Sequence, residues 1–318
     1  LWTAIALMTL AACSEDKEAS MEPGAAENFP AEIHGTINGY SAVSNSRGIN
    51  GSWADGEAIG ITTAAGLSNV SYVVTEDRNV KYAYSTEAEC FQVVNPEGAD
   101  HTIYFKGLYD MKLYAYAPYV GERGIVPETI EAATTSDLQV IDRQTNIDFL
   151  YAEGAGSQKN PKVDFIFHHR MSNILLNFKP KTGVQLSDLS YKLKGLKLDG
   201  TYTPSTGVAA LKNSAIPQDI EMRITAAEDM KSSLILYPQA FSVSTILEVI
   251  MGNKSYAVSP STDVVLEAGQ QYVFDVLIGE QEMTINLASI VDWEVDGEKF
   301  AVAKNCLLYT SPSPRDCS

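Results

Sequence analysis

From Ala31 to about residue 295 the chain alternates short apolar runs with clusters of Gly, Asn, Asp and Pro. That is the spacing of strands and turns rather than of helices. Val163, Phe165 and Phe167 occupy every second position, and the alternation continues to His169 and Met171; Ile174, Leu176 and Phe178 then carry the opposite parity. Successive side chains of a strand point to opposite faces, so the change predicts either a bulge near Ser172-Asn173 or one strand ending and another starting. Tyr272, Phe274, Val276 and Ile278 keep strict period two, and Ile235 to Tyr237 and Ile246 to Ile250 are shorter runs of strand type. Residues 128–138 have room for one or two helical turns and 217–230 is ambiguous, but neither carries an apolar face repeating every 3.6 residues. The expected fold class is all-β. Gly154-Ala155-Gly156-Ser157-Gln158-Lys159-Asn160-Pro161 is Gly-rich and polar between two apolar segments, and it predicts a boundary between domains at 31–157 and 158–305. Each is large enough for a seven- or eight-strand sandwich. No internal repeat of propeller or solenoid length is visible.

The two ends read differently. Leu1 to Ala12 is LWTAIALMTLAA, apolar throughout and too short to span a bilayer as a helix. It matches the apolar core of a secretory signal whose Met and basic start are missing. Leu10-Ala11-Ala12-Cys13 resembles a lipobox, in which small side chains fit the signal peptidase and the thiol takes diacylglycerol. Residues 1–13 are therefore expected to be a truncated lipoprotein signal with Cys13 as the lipidation site. The alternative is an ordinary signal peptide with an incidental Cys. The acidic Ser14-Glu15-Asp16-Lys17-Glu18 resembles a surface-export tag of Bacteroidales-type lipoproteins, and 14–30, with Pro23, Gly24 and Pro30, reads as a flexible tether. Residues 306–318, CLLYTSPSPRDCS, show no alternation and resemble translated sequencing-adapter read-through. They are expected to be non-native, so Cys306 and Cys317 carry no weight. Cys90, inside an apparent strand, is expected to be an inert packed thiol.

Composition narrows the function classes. Of 318 residues, 45% are hydrophobic and 20% charged, as in an ordinary globular protein. The formal net charge of -17 argues against nucleic acid as a partner, because phosphates need a Lys/Arg surplus. His168 and His169 stand beside Arg170, but adjacent strand residues face opposite ways, so the two imidazoles do not share a metal. One inward, hydrogen-bonded His and one exposed His are expected instead. His34 and His101 have no ligand-like spacing to them, and no Cys-x-x-Cys or Cys/His cluster offers a metal site. Tyr109, Tyr114, Tyr116 and Tyr119 fit either a sugar-stacking platform or a sheet face packed in a core or interface, and the packed reading is favoured. No Ser/His/Asp order, carboxylate pair or phosphate-cradling glycine loop stands out, and the acidic stretch Asp292 to Glu298 lacks the spacing of a Ca²⁺ loop. No catalytic residue, metal or cofactor is expected, and the chain does not read as an enzyme.

Several segments in order carry a resemblance. Trp53-Ala54-Asp55-Gly56-Glu57-Ala58-Ile59-Gly60-Ile61 reads as a turn feeding a strand, with Ile59 and Ile61 on one face and Gly60 permitting close approach. Asn79-Val80-Lys81-Tyr82 follows, then Leu113-Tyr114-Ala115-Tyr116-Ala117-Pro118-Tyr119, Ile147-Asp148-Phe149-Leu150-Tyr151-Ala152 and Phe167-His168-His169-Arg170-Met171-Ser172. Leu266-Glu267-Ala268-Gly269-Gln270-Gln271-Tyr272-Val273-Phe274, with Ile290 and Trp293, completes the set. Together they resemble the fimbrillin family, pilus subunits and surface lipoproteins of Bacteroidales-type bacteria. The resemblance implies two transthyretin-like β-sandwich domains in tandem, in a lipoprotein precursor held at the cell outer membrane. It also implies assembly into a fimbrium by strand exchange: a trypsin-like protease removes the first strand after an Arg, and an extended strand of a neighbouring fimbrial subunit fills the groove. In this sequence Ala31 to Val43 is the candidate removable strand, although Gly35 and Gly39 weaken it, and Arg47 in the polar loop Ser44-Asn45-Ser46-Arg47-Gly48 is the candidate processing site. Arg47 as a plain solvated loop residue is the competing reading. The implied function is a structural pilus subunit contributing to adhesion. The alternative is a non-polymerising surface lipoprotein that binds host or microbial glycans.

Overall fold

The computed structural model describes residues 29–37, 53–63, 77–105, 110–225 and 230–293; Cys13, Arg47, Tyr109 and the 306–318 tail lie outside the described residues. The first ten strands are β1 (Phe29–Pro30), β2 (Glu32–Ile37), β3 (Ala58–Thr63), β4 (Val80–Ser85), β5 (Cys90–Val93), β6 (Tyr104–Phe105), β7 (Met111–Ala117), β8 (Ile130–Ala133), β9 (Leu150–Gly156) and β10 (Lys162–His169). Twelve more follow: β11 (Ser172–Pro180), β12 (Leu189–Lys197), β13 (Asp199–Thr203), β14 (Val208–Leu211), β15 (Pro217–Ile224), β16 (Lys231–Leu236), β17 (Gln239–Phe241), β18 (Ile246–Met251), β19 (Lys254–Val258), β20 (Val264–Leu266), β21 (Gln270–Ile278) and β22 (Met283–Asp292). Among the described residues the helical content is two 3₁₀ turns, Ser136–Leu138 and Ile141–Asn146. The chain is all-β, as its alternation requires.

Seven strands close into a barrel in the order β10-β2-β5-β4-β3-β7-β9, with β9 returning to β10. Their inward residues, among them Ile33, Ile59, Ile61, Tyr82, Phe91, Leu113, Ala115, Leu150, Val163, Phe165 and Phe167, form one buried cluster. The first half is thus a closed sheet where a β-sandwich was expected; closure removes free strand edges while enclosing the same kind of core. Residues 154–161 are also reassigned. They make the β9–β10 hairpin, with Ser157 bridged to Asn160, and β10 stays in the barrel by pairing with both β2 and β9. Gly, Asn and Pro punctuate a tight hairpin as readily as a linker, so composition alone did not distinguish them. The barrel runs on to His169, and the parity change after it marks one strand ending and another beginning at Ser172.

The second half is a sandwich. One sheet is ordered β16-β11-β21-β22, the other β15-β12-β18-β19. Ile174, Leu176, Phe178, Tyr272, Phe274, Val276 and Ile278 of the first meet Tyr191, Leu193, Ile220, Leu247 and Val249 of the second in the largest core. The period-two positions of β11 and β21 are its inner face. Residues 128–138 form β8 and a 3₁₀ turn, and 217–224 form the edge strand β15.

A third cluster joins the halves. Tyr116, Phe149 and Ile147 come from the barrel side, Met171, Tyr202, Ile235, Tyr237 and Trp293 from the other. Strand β8, placed before β9 in the chain, pairs with β13, placed after β10. Packing and hydrogen bonding therefore both cross between the two sheet systems.

Candidate functional site

The strand expected to be removable is β2. It pairs in parallel with β10 over six residues, from Lys162↔Glu32 to Phe167↔Ile37, and antiparallel with β5 at Ile33↔Phe91. Its inward residues Ile33 and Ile37 are buried. Gly35 does not simply weaken it: a Cβ there would lie 2.9 Å from the Phe91 ring and 3.0 Å from the Phe167 ring. The same residue's carbonyl accepts a hydrogen bond of 3.0 Å from the Trp53 indole. Trp53 in turn meets Phe91 and Phe167 edge-on, at 4.9 and 5.0 Å. Small size at Gly35 is what lets the Phe91 and Phe167 rings close against β2. The residues that hold β2 are thus backbone groups on β10 and β5 and an aromatic trio beneath it. Its chemistry is strand pairing plus apolar side chains at alternate positions, not acid–base or nucleophilic work.

The rest of the Trp53–Ile61 motif builds the wall beside it. Ala54 donates its N–H to Glu57 Oε2 (2.9 Å) and Gly56 donates to the Tyr84 carbonyl (2.8 Å), which fixes the turn. Ile59 and Ile61 are fully buried, and Gly60 faces the other way. A Cβ on Gly60 would lie 2.5 Å from Tyr116 Cε1 and 2.6 Å from Asn79 Oδ1. Those two side chains are joined by a 2.8 Å hydrogen bond from the Tyr116 hydroxyl, and Asn79 Nδ2 donates to the carbonyls of Val120 and Glu122 at 3.0 Å each. Asn79 holds a left-handed φ of 48° and is fully buried, a combination that Asn tolerates better than most residues. Nothing in the sequence marked Asn79 as the hub of this contact.

Tyr116 is fully buried, so it is packing at the junction of the halves rather than a sugar platform. Tyr114 is half-buried and stacks on Tyr151 at 6.4 Å, and Tyr119 lies under Lys81 Nζ at 5.4 Å. The His pair divides as expected. His169 is buried with Nδ1 2.8 Å from Asp148 Oδ1, and its ring stacks on Trp293 at 3.9 Å and 6°. His168 faces outward on the other side of β10. Among the described residues no group of three or more His, Cys, Asp or Glu is placed to hold a metal ion, and no helix is long and apolar enough to cross a membrane. Cys90 is a free, half-buried thiol.

Burial acts on the tyrosines as a group. Desolvation pushes the Tyr82 and Tyr151 phenols up to about 12, and raises Tyr116, Tyr191, Tyr202 and Tyr237 as well. An unfolded phenol ionises near 10, so the folded state holds these protons more tightly, and the stability this provides is intact below that pH. It is lost as pH rises from about 10 through 12. The urea midpoint is expected to be flat from pH 8 to 9.5 and to fall steeply above 10; a flat midpoint up to pH 11.5 would contradict this.

Fold and site together define an all-β protein whose candidate site is made of strand backbone and packed aromatic side chains. The model of the fimbrillin-like family matches residues 45–293. The chain belongs to the fimbrillin-like family. A solved structure of a candidate cell adhesion protein from Bacteroides ovatus ATCC 8483 is similar at 33% identity and a TM-score of 0.75, covering 85% of this chain and 99% of that one. A second candidate cell adhesion protein, from Bacteroides uniformis ATCC 8492, matches at 20% identity and a TM-score of 0.62 over 83% of this chain and 98% of its own, which shows the shared fold. No curated protein matches the chain.

Proposed function

We propose that this protein is a structural subunit of a cell-surface pilus that contributes to adhesion and assembles by strand exchange. The observation that carries the proposal is the setting of β2. It lies between β10 and β5, joined to β10 in parallel and to β5 by one residue pair. Taking it away would open the barrel along one slot, leaving unpaired N–H and C=O groups on β10 beside an apolar trench under Ile33 and Ile37. A strand from a neighbouring subunit, with apolar residues at alternate positions, satisfies both needs. Family membership supports the same reading. The precursor is exported as a lipoprotein anchored through Cys13 to the outer membrane, the cut falls after Arg47, and the barrel and the sandwich serve as two tandem units. A cut after Arg47 would then separate the folded part from its lipid, unless the protein serves as the anchor subunit.

Limited digestion of the full chain with a trypsin-like protease tests this. The expected product begins at Gly48, by intact mass, and forms oligomers that survive mild SDS, while Arg47→Ala stays monomeric. A chain cut at Arg47 that remains monomeric at high concentration would sink strand exchange. A mature protein on the cell surface that still carries lipid on Cys13 after assembly would restrict the role to an anchor.

A further inference from the structure

The outer face of β9 and β10 carries a depression of about 400 Å³ lined by Tyr151, Glu153, Asp164, Ile166, His168 and Arg170. Strand alternation creates it: Val163, Phe165, Phe167 and His169 fill the buried side, so Asp164, Ile166 and His168 turn outward. The register sets Tyr151 beside His168 on the same face. Tyr151 stacks on Tyr114 and donates its hydroxyl to Glu153 Oε1 at 3.0 Å. The Arg170 guanidinium sits over the Tyr151 ring, 5.2 Å from its centre. Asp164 is engaged by Lys162 at 2.8 Å. Arg170 differs from its neighbours: among the described residues no carboxylate pairs with it, and its Nε is buried without a hydrogen-bond partner.

A guanidinium offers five N–H donors in a planar fork that matches a carboxylate bidentately. Contact with the Tyr151 ring anchors the guanidinium at this end of the depression. With a net charge of -17 the molecule as a whole repels anions, so any anion held here is held by this local donor set. Around the fork stand Glu153 and Asp164, which accept hydrogen bonds from hydroxyl groups. Ile166, 52% exposed, gives an apolar platform. A ligand with one carboxylate, several hydroxyls and an apolar ring face uses every one of these groups. An acidic peptide uses only the fork and brings further negative charge against Glu153 and Asp164.

We propose that this depression binds a carboxylate-bearing sugar of the uronic or sialic type. Arg170 takes the carboxylate, Glu153 accepts a ring hydroxyl, and Ile166 supports the ring's apolar face. The site is whole in the uncut chain, so it does not rest on strand exchange and fails or survives separately from it.

Titration calorimetry on the full, uncut chain tests it with three probes: sialyllactose, a glucuronate-containing disaccharide, and lactose as the neutral control. One acidic probe is expected to bind at least about tenfold more tightly than lactose, and its identity separates the two sources of the carboxylate. Arg170→Met is expected to weaken that probe by about tenfold or more, while Arg170→Lys retains part of the binding. Should Arg170→Met unfold, Glu153→Ala, which removes the acceptor from an exposed position, serves as the second variant, with an expected loss of several-fold in affinity and a nearly unchanged melting temperature. Equal binding of all three probes, no binding of either acid, or unchanged affinity in both variants would overturn the proposal. So would a Glu-rich peptide that competes more strongly than either acidic sugar.

Discussion

Trp293→Ala destabilises the folded chain by about 3–5 kcal/mol, the usual cost of emptying a buried aromatic site. The size follows from where the indole sits. Trp293 is fully buried, stacks on His169, and its backbone N–H donates to the Gly269 carbonyl. Gly269 in turn donates to Met171, immediately after the barrel's last strand. One residue therefore ties the end of β22 to the end of β10. Truncation leaves a void against the His169 ring and removes the apolar wall beside the buried Asp148–His169 pair. In thermal denaturation the parent chain is expected to melt in one transition, because the shared cluster couples barrel and sandwich. The variant is expected to melt roughly 10 °C lower, in line with about 2–4 °C per kcal/mol for a chain of this size, and to separate into two steps. Trp293→Phe should recover most of the loss. A single unshifted transition in Trp293→Ala would show that the cluster does not couple the halves.

Gly60→Ala is expected to cost about 3 kcal/mol or more, although it adds a single methyl group. The added carbon would overlap the Tyr116 ring and the Asn79 carboxamide, and both are pinned. Tyr116 is hydrogen-bonded to Asn79, and Asn79 to two backbone carbonyls. Neither can retreat without leaving a buried polar group unpaired. Gly98→Ala is the comparison. Gly98 has a φ of 79° but open space around its Cβ position, so only backbone strain applies, about 1 kcal/mol. Urea denaturation of the two variants side by side should give Gly60→Ala the much larger shift in midpoint. Equal shifts would mean that the space at Gly60 is not what matters.

Several features were legible in the chain because they depend only on neighbours in sequence. The alternation of Val163, Phe165 and Phe167, and of Tyr272 through Ile278, gave the strands and their inner faces. The turn at Asp55-Gly56 and the paired burial of Ile59 and Ile61 followed from the same local rules. The opposite facing of His168 and His169 is a property of any strand. The β9–β10 hairpin at 154–161 was not legible as such. A run of Gly, Asn and Pro breaks a strand equally well inside a sheet or between domains, and only the pairing of β10 with β2 tells them apart.

Other features exist only once distant segments meet. Gly35 looked like a weakness in its strand until the rings of Trp53, Phe91 and Phe167 were placed around it. Asn79 and Gly60 lie 19 residues apart in the sequence, yet define one contact. Arg170 followed two histidines and drew attention only to them; its place over the Tyr151 ring, with no carboxylate paired to it among the described residues, required β9 and β10 to be side by side. By itself, then, the sequence determined an all-β chain, its strands and their buried faces, because side-chain period is a local matter. Closure of the barrel, the shared cluster around Trp293, and the setting of Arg170 were decided by tertiary structure, because pairing partners and charge neighbours come from positions that local periodicity does not connect.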